Sequence, residues 1–344
     1  MKRAWLLLLL MACRTEPVTP KLTAPGPEGV GVRTLELTRD GGRLVVELWY
    51  PAAAANEDET RDAPMNAGRF PLVVHSHGFQ DNRRGEAYLA RHLASHGFLV
   101  AAPDYPFSNS GAPGGATVAG LPEQPRDLSF VIDALLADPE LGQAIDAQHI
   151  GASGLSLGGI TTLLAAFHPT LHDDRIGAAL PIAAPSCMLT PAFFSRAIPL
   201  LLLHGDADTI IPIATNAAAA FLAAKKPRTL VTLKNASHTG FVGIAEAFDT
   251  RSHYDRIGCS ALSGGKLDLS TGLGGEDAGI LPASDACVAV CRDEPKDPAL
   301  AARRQQTLTK AVALAFFSTW AKGRPDAINA LAAENEEIDV KSER

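Results

Sequence analysis

Apolar and polar residues alternate along Leu35-Glu36-Leu37-Thr38 and again from Leu44 to Tyr50. A period of two is the pattern of a half-buried strand. The Asp40-Gly41-Gly42 turn between the two stretches predicts an antiparallel hairpin. From Phe70 onward the pattern changes. Phe70 to His75, Phe98 to Ala102, His149 to Ser153, Ile176 to Ala183, Leu200 to Leu203 and Thr229 to Leu233 are almost continuously apolar. Such runs fit strands covered on both faces. Between them lie Glu86 to His96, Gln124 to Ala137, Gly159 to Phe167 and Asn216 to Ala224, followed at the end by Leu300 to Ala321. Their spacing and composition predict helices. This order predicts an α/β fold with a mostly parallel, doubly wound sheet and an antiparallel N-terminal edge.

The run from Gly243 to Pro298 breaks the alternation. It is rich in Gly, Ser, Asp and Ala and reads as an insertion before the last long helix. The expected organisation is a leader over 1–12, a tether over 13–28, one domain over 29–325 carrying the insertion at about 243–298, and a charged tail over 326–344 that frays from Glu334 onward.

Gly154-Leu155-Ser156-Leu157-Gly158 lies between a predicted strand and a predicted helix. That is the context of a nucleophile elbow, in which a sharp turn lifts a Ser hydroxyl to the sheet edge. Gly154 and Gly158 fit because the turn brings two backbones together. The bland reading is a Ser in a glycine-rich turn. A Ser hydroxyl needs a base to take its proton and an acid to orient that base. Downstream, the strand end at His204-Gly205-Asp206-Ala207-Asp208 offers two acids, and Asn235-Ala236-Ser237-His238 offers a base in a polar loop. His204 reads as structural, and His168 and His172 as solvent-facing. Upstream, Gly78-Phe79 follows a strand. The backbone N–H groups of Phe79 and Leu157 are the expected oxyanion donors. The side chains of His75 and His77 read as satisfied polar groups at the sheet end.

The net charge of −7 and the scattered Lys and Arg residues give no nucleic-acid signature. Lys2 and Arg3 precede a short apolar run, Trp5 to Met11, that ends Leu10-Met11-Ala12-Cys13. The segment resembles a lipobox, which implies export, lipidation at Cys13 and attachment to a membrane surface. In an oxidising compartment the other four cysteines, Cys187, Cys259, Cys287 and Cys291, are disulfide candidates with three possible pairings. A metal site is the rival reading, but no His stands near Cys287 and Cys291 at ligand spacing.

Longer motifs add a family resemblance. They are Pro71-Leu72-Val73-Val74-His75-Ser76-His77-Gly78, the run from Leu93 to Asp104, Arg126 to Ile132, and His204 to Pro212. Together they resemble the platelet-activating-factor acetylhydrolase and predicted dienelactone hydrolase group of α/β-hydrolases, with cutinase-like polyester hydrolases as close relatives. The matched stretch covers about residues 70 to 240. The resemblance implies an α/β-hydrolase fold and favours Asp208 over Asp206 as the acid. It also implies a monomeric serine ester hydrolase that acts on short-acyl esters, with polyesters or lipids as the alternative, and needs no cofactor or metal. The cysteine-bearing insertion departs from the group, so substrate preference does not carry over. A surface protein that keeps the fold as a non-catalytic binding scaffold is the alternative from another class.

Overall fold

The computed structural model describes residues 17–53, 59–248, 253–262, 268–282, 284, 287, 290, 291 and 293–344. The leader and Cys13 lie outside the described residues. The first hairpin pairs β1 (Gly29–Arg39) with β2 (Gly42–Ala52), in the register Arg39↔Gly42 to Gly29↔Ala52. Asp40 and Gly41 hold the turn at φ of 52° and 79°. Positive φ at both central residues matches the twist of the flanking strands. The short β3 (Glu59–Arg61) runs parallel beside β1.

Six strands form the parallel centre: β4 (Phe70–Ser76), β5 (Leu99–Pro103), β6 (Ile145–Leu155), β7 (Ile176–Ile182), β8 (Leu200–Gly205) and β9 (Arg228–Leu233). With β10 (Ile338–Glu343) the sheet order is β10-β9-β8-β7-β6-β4-β5-β2-β1-β3. The continuously apolar strands are those covered on both faces. Leu72, Val73 and Val74 in β4, and Leu201 and Leu203 in β8, are fully buried. Each such side chain contributes about 1.5–3 kcal/mol relative to exposure.

One face carries α3 (Gln124–Ala137), the short α4 (Leu141–Ala144), α5 (Leu157–Phe167) and α6 (Ala217–Ala223). The other carries α2 (Ala87–Ser95) and a long helix over Ala302–Lys322. In chain order that helix is α8, after α7 (Asp255–Leu262). It stops at Gly323, which takes the left-handed conformation at φ 59°.

Three expectations are corrected. The tail does not fray: α9 (Ile328–Glu334) buries Ile328 and Leu331, and β10 then pairs antiparallel with β9. The described part of the tether is not loose. Val18–Thr23 form α1, whose first N–H groups are capped by the Glu334 carboxylate at 2.8 Å. His168 does not face solvent. It is buried at the end of α5, with Nε2 3.1 Å from the Leu273 carbonyl oxygen.

The insertion folds back onto the body. Cys187, just after β7, is bonded to Cys287, and Cys259 of α7 to Cys291. Leu189 also bridges Ile280. The added Cβ of an Ala at Gly279 would come within 2.3 Å of the Phe193 backbone nitrogen.

Candidate active site

Ser156 is the turn residue between β6 and α5, at φ 55°, ψ −115°. A non-glycine residue held there stores about 1–3 kcal/mol of strain, sustained only by the surrounding structure. Ser156 N–H donates to Ile182 O at 2.8 Å, which ties the turn to β7. A Cβ at Gly154 would lie 2.3 Å from Gly158 O, and one at Gly158 only 1.9 Å from Ser76 O. No side chain fits at either position. The turn leaves Ser156 facing a cavity of about 930 Å³ that His238 also lines.

His238 sits in the loop after β9. The loop is clamped from α8, where Gln305 donates to Ser237 O at 2.7 Å and accepts from Ser237 N–H at 3.2 Å. His238 Nδ1 is 2.7 Å from Asp208 Oδ2. Asp208 Oδ1 accepts from the N–H groups of Ile210 (3.0 Å) and Ile211 (2.7 Å). Asp206 faces elsewhere: it is exposed and accepts from Asn235 N–H at 2.6 Å. His204 reaches further into this centre than its sequence context suggests. Its Nε2 lies 2.7 Å from Ile211 O and 3.2 Å from Asp208 Oδ2. Because Ile211 O can only accept, that nitrogen carries the proton.

Burial opposes charge on Asp208, but His238 and His204 outweigh it and hold the carboxyl well below the usual carboxylate range. Burial likewise works against the imidazolium of His238. Asp208, with a smaller contribution from Asp255, overcomes this and raises the imidazole above its ordinary value. The ionised Asp208 fixes the tautomer with the proton on Nδ1, leaving Nε2 to accept.

The loop after β4 brings Phe79 to the same cavity. Among the described residues, neither Phe79 N–H nor Leu157 N–H donates to an acceptor. His77 anchors the loop. Its Nδ1 is 2.7 Å from Gly78 O, and its Nε2 accepts from Tyr105 N–H at 3.1 Å. Arg83 pairs with Asp104 at 2.5 Å and with Glu47 at 3.1 Å, and Arg84 with Glu47 at 2.7 Å. Glu47 is fully buried in β2. It stands alone among apolar neighbours in its strand, and the arginines that cover it are visible only in three dimensions.

Below the loop, Glu86 lies 3.1 Å from His75 Nε2. Burial pushes both Glu86 and Asp81 above the usual range, and the neighbouring Glu86 pushes Asp81 further. Burial pushes His75 down to about 4.

A second, apolar slot of about 40 Å³ opens on Ser156 and is lined by Phe79, Leu157, Ile210, Leu262 and Val290. Leu262 and Val290 come from the insertion, and Phe79, Ile210 and Leu262 also border the large cavity.

Residues 61–248 match the family model described as PET hydrolase-like. The chain belongs to the PET hydrolase-like family. This is the polyester-hydrolase side of the resemblance seen in the sequence. The bis(hydroxyethyl) terephthalate hydrolase of Streptomyces coelicolor is 29% identical over 219 residues, 62% of this chain and 61% of that protein. Cutinase est1 of Thermobifida alba is 27% identical over 180 residues, 51% of this chain and 55% of that one. The chain thus spans just over half the length of these curated relatives. A ferulic acid esterase structure from Streptomyces cinnamoneus superposes with a TM-score of 0.68 over 93% of this chain and 99% of its own, at 21% identity. That likeness shows the α/β-hydrolase fold.

Proposed function

We propose that this protein is a serine carboxylic-ester hydrolase. The observation that carries the reading is the buried His238–Asp208 contact of 2.7 Å beside Ser156, which stands on a strained elbow in the same cavity. Ser156 Oγ attacks the ester carbonyl carbon as His238 Nε2 takes its proton. Asp208 holds the imidazole and stabilises its charged form. The carbonyl oxygen, now negative, is received by the N–H groups of Phe79 and Leu157. Collapse breaks the bond to the alcohol oxygen, which takes the proton from His238. Water, activated by the same imidazole, then releases the acid from Ser156. These steps use only groups of this chain.

The two cavities divide the ester. The slot of about 40 Å³ suits a short acyl group, and the large cavity admits a bulkier alcohol portion. This agrees with the acetylhydrolase-like motifs. The relatives' names point to the alternative, polyester fragments, in which the acyl part is the larger one; such an ester binds the other way round, with its acyl part in the large cavity. The two disulfides agree with export, and attachment through a lipidated Cys13 completes the proposed placement of a monomer at a membrane surface. The test is a panel of p-nitrophenyl esters from acetate to octanoate. We expect the acetate to be preferred and Ser156→Ala to lose about ten-thousandfold or more in kcat/KM while remaining folded. Undiminished turnover by the variant overturns the reading. A folded wild type that hydrolyses none of them supports a binding scaffold instead.

A further inference from the structure

Asp255, the first residue of α7, is fully buried although it belongs to the insertion. Its Oδ2 accepts from Thr209 N–H at 3.0 Å and from Thr209 Oγ1 at 3.2 Å. Its Oδ1 accepts from Thr239 N–H at 2.7 Å. Thr209 directly follows Asp208, and Thr239 directly follows His238. One carboxylate therefore bridges the two loops that carry the acid and the base.

The rest of α7 is built for that contact. Gly258, one turn on, packs so closely that a Cβ would lie 2.4 Å from Thr239 Oγ1 and 2.7 Å from Ile210 Cδ1. Cys259 ties the helix to Cys291. His253 Nδ1 accepts from Asp255 N–H at 3.3 Å, which holds the backbone at the start of α7. A buried carboxylate costs several kcal/mol unless it is fully hydrogen-bonded, and three donors meet that requirement here.

We infer that Asp255 is a positioning residue of the catalytic centre, supplied by the insertion, which locks the Asp208 and His238 loops in register and adds a second negative charge facing the imidazole. Asp255 lines neither cavity, so it acts through His238 and not on the substrate. The inference rests on the proposed roles of Ser156, Asp208 and His238.

Among the described residues, the charges that act on His238 are Asp208 from the loop after β8 and Asp255 from α7. His204 acts on it through Asp208, and His253 through Asp255. The α8 side chains that clamp the base loop and its 3-10 turn, Gln305 and Gln306, do not titrate. Asp81, Arg84, Arg91, His92, Glu246 and Lys310 line the same cavity and are unchanged in the variant. Asp255 contributes to the raised His238 value, so its neutralisation lowers that value. The acid limb of kcat/KM then moves to lower pH.

The test is Asp255→Asn in the full chain, with p-nitrophenyl acetate hydrolysis followed across pH and the wild type labelled in parallel by a fluorophosphonate. We expect kcat to fall roughly ten- to a hundredfold. KM should stay within about twofold, and the acid limb should shift downward. Unchanged kcat overturns the inference. So does a fall in kcat with the limb unmoved, which marks a purely structural residue. Should Asp255→Asn not fold, Asp255→Glu keeps the charge. It should lower kcat with the limb where the wild type has it, and a shifted limb would count against the assignment. A wild type that neither labels nor hydrolyses ester sinks the triad reading itself, which separates the two failures.

Discussion

On the sheet side of Ser156, backbone geometry dictates the site. Gly154 and Gly158 have no room for a Cβ, Ser156 is held at positive φ, and the Phe79 loop is pinned by His77 and by the arginines over Glu47. On the other side, the insertion supplies contacts that no backbone rule requires. Leu262 and Val290 wall the apolar slot, and Asp255 bridges the acid and base loops. On the proposed reading, the sheet side sets what chemistry is available, and the insertion sets how large a group reaches it and how firmly His238 is held.

Two changes, one on each side, sharpen this contrast. Leu262→Ala opens the slot toward the large cavity. The ratio of kcat/KM for the hexanoate to that for the acetate should rise about tenfold, the gain from accommodating a single further methylene at about 1–3 kcal/mol. The ester panel reads this directly. An unchanged acyl profile would return acyl selection to the sheet side.

The smaller effect concerns Glu86 under the Phe79 loop. Its folded-state value lies above its unfolded one, so the folded protein holds a proton that the unfolded chain releases. Stability therefore falls as pH rises from about 4.5 toward about 8. Glu86→Gln removes that loss and should add roughly 1–3 kcal/mol at pH 8, with much less at pH 5. Urea denaturation at both pH values measures it. Parallel wild-type and variant pH dependences would show that Glu86 carries no such burden.

The same contrast governs how much of the molecule is legible in its sequence. The parallel strands announce themselves as apolar runs, and the elbow as a pair of glycines around Ser156. Asp208 is favoured over Asp206 only through the family motif. The geometry that separates them, one facing His238 and the other Asn235, depends on how the loop after β8 turns. The edge strand β10 is concealed because Ile338-Asp339-Val340-Lys341-Ser342-Glu343 is short and charged, as an edge exposed to solvent should be. The helix α1 is concealed by its prolines and takes its stability from Glu334, far along the chain. Asp255 and Glu47 carry no local signal. Asp255 is an acid in an ordinary polar stretch and Glu47 a lone acid in an apolar strand, and only tertiary contacts surround each with donors.

The most direct measurement is to quench the p-nitrophenyl acetate reaction in its pre-steady-state phase and map the protein by peptide mass spectrometry. Release of p-nitrophenol should show a burst equal to the enzyme concentration, the mark of an accumulating acyl-enzyme. The acetyl group should sit on Ser156, and Asp255→Asn should slow its appearance. Turnover with no covalent adduct, or with the acetyl group on another residue, would contradict the account.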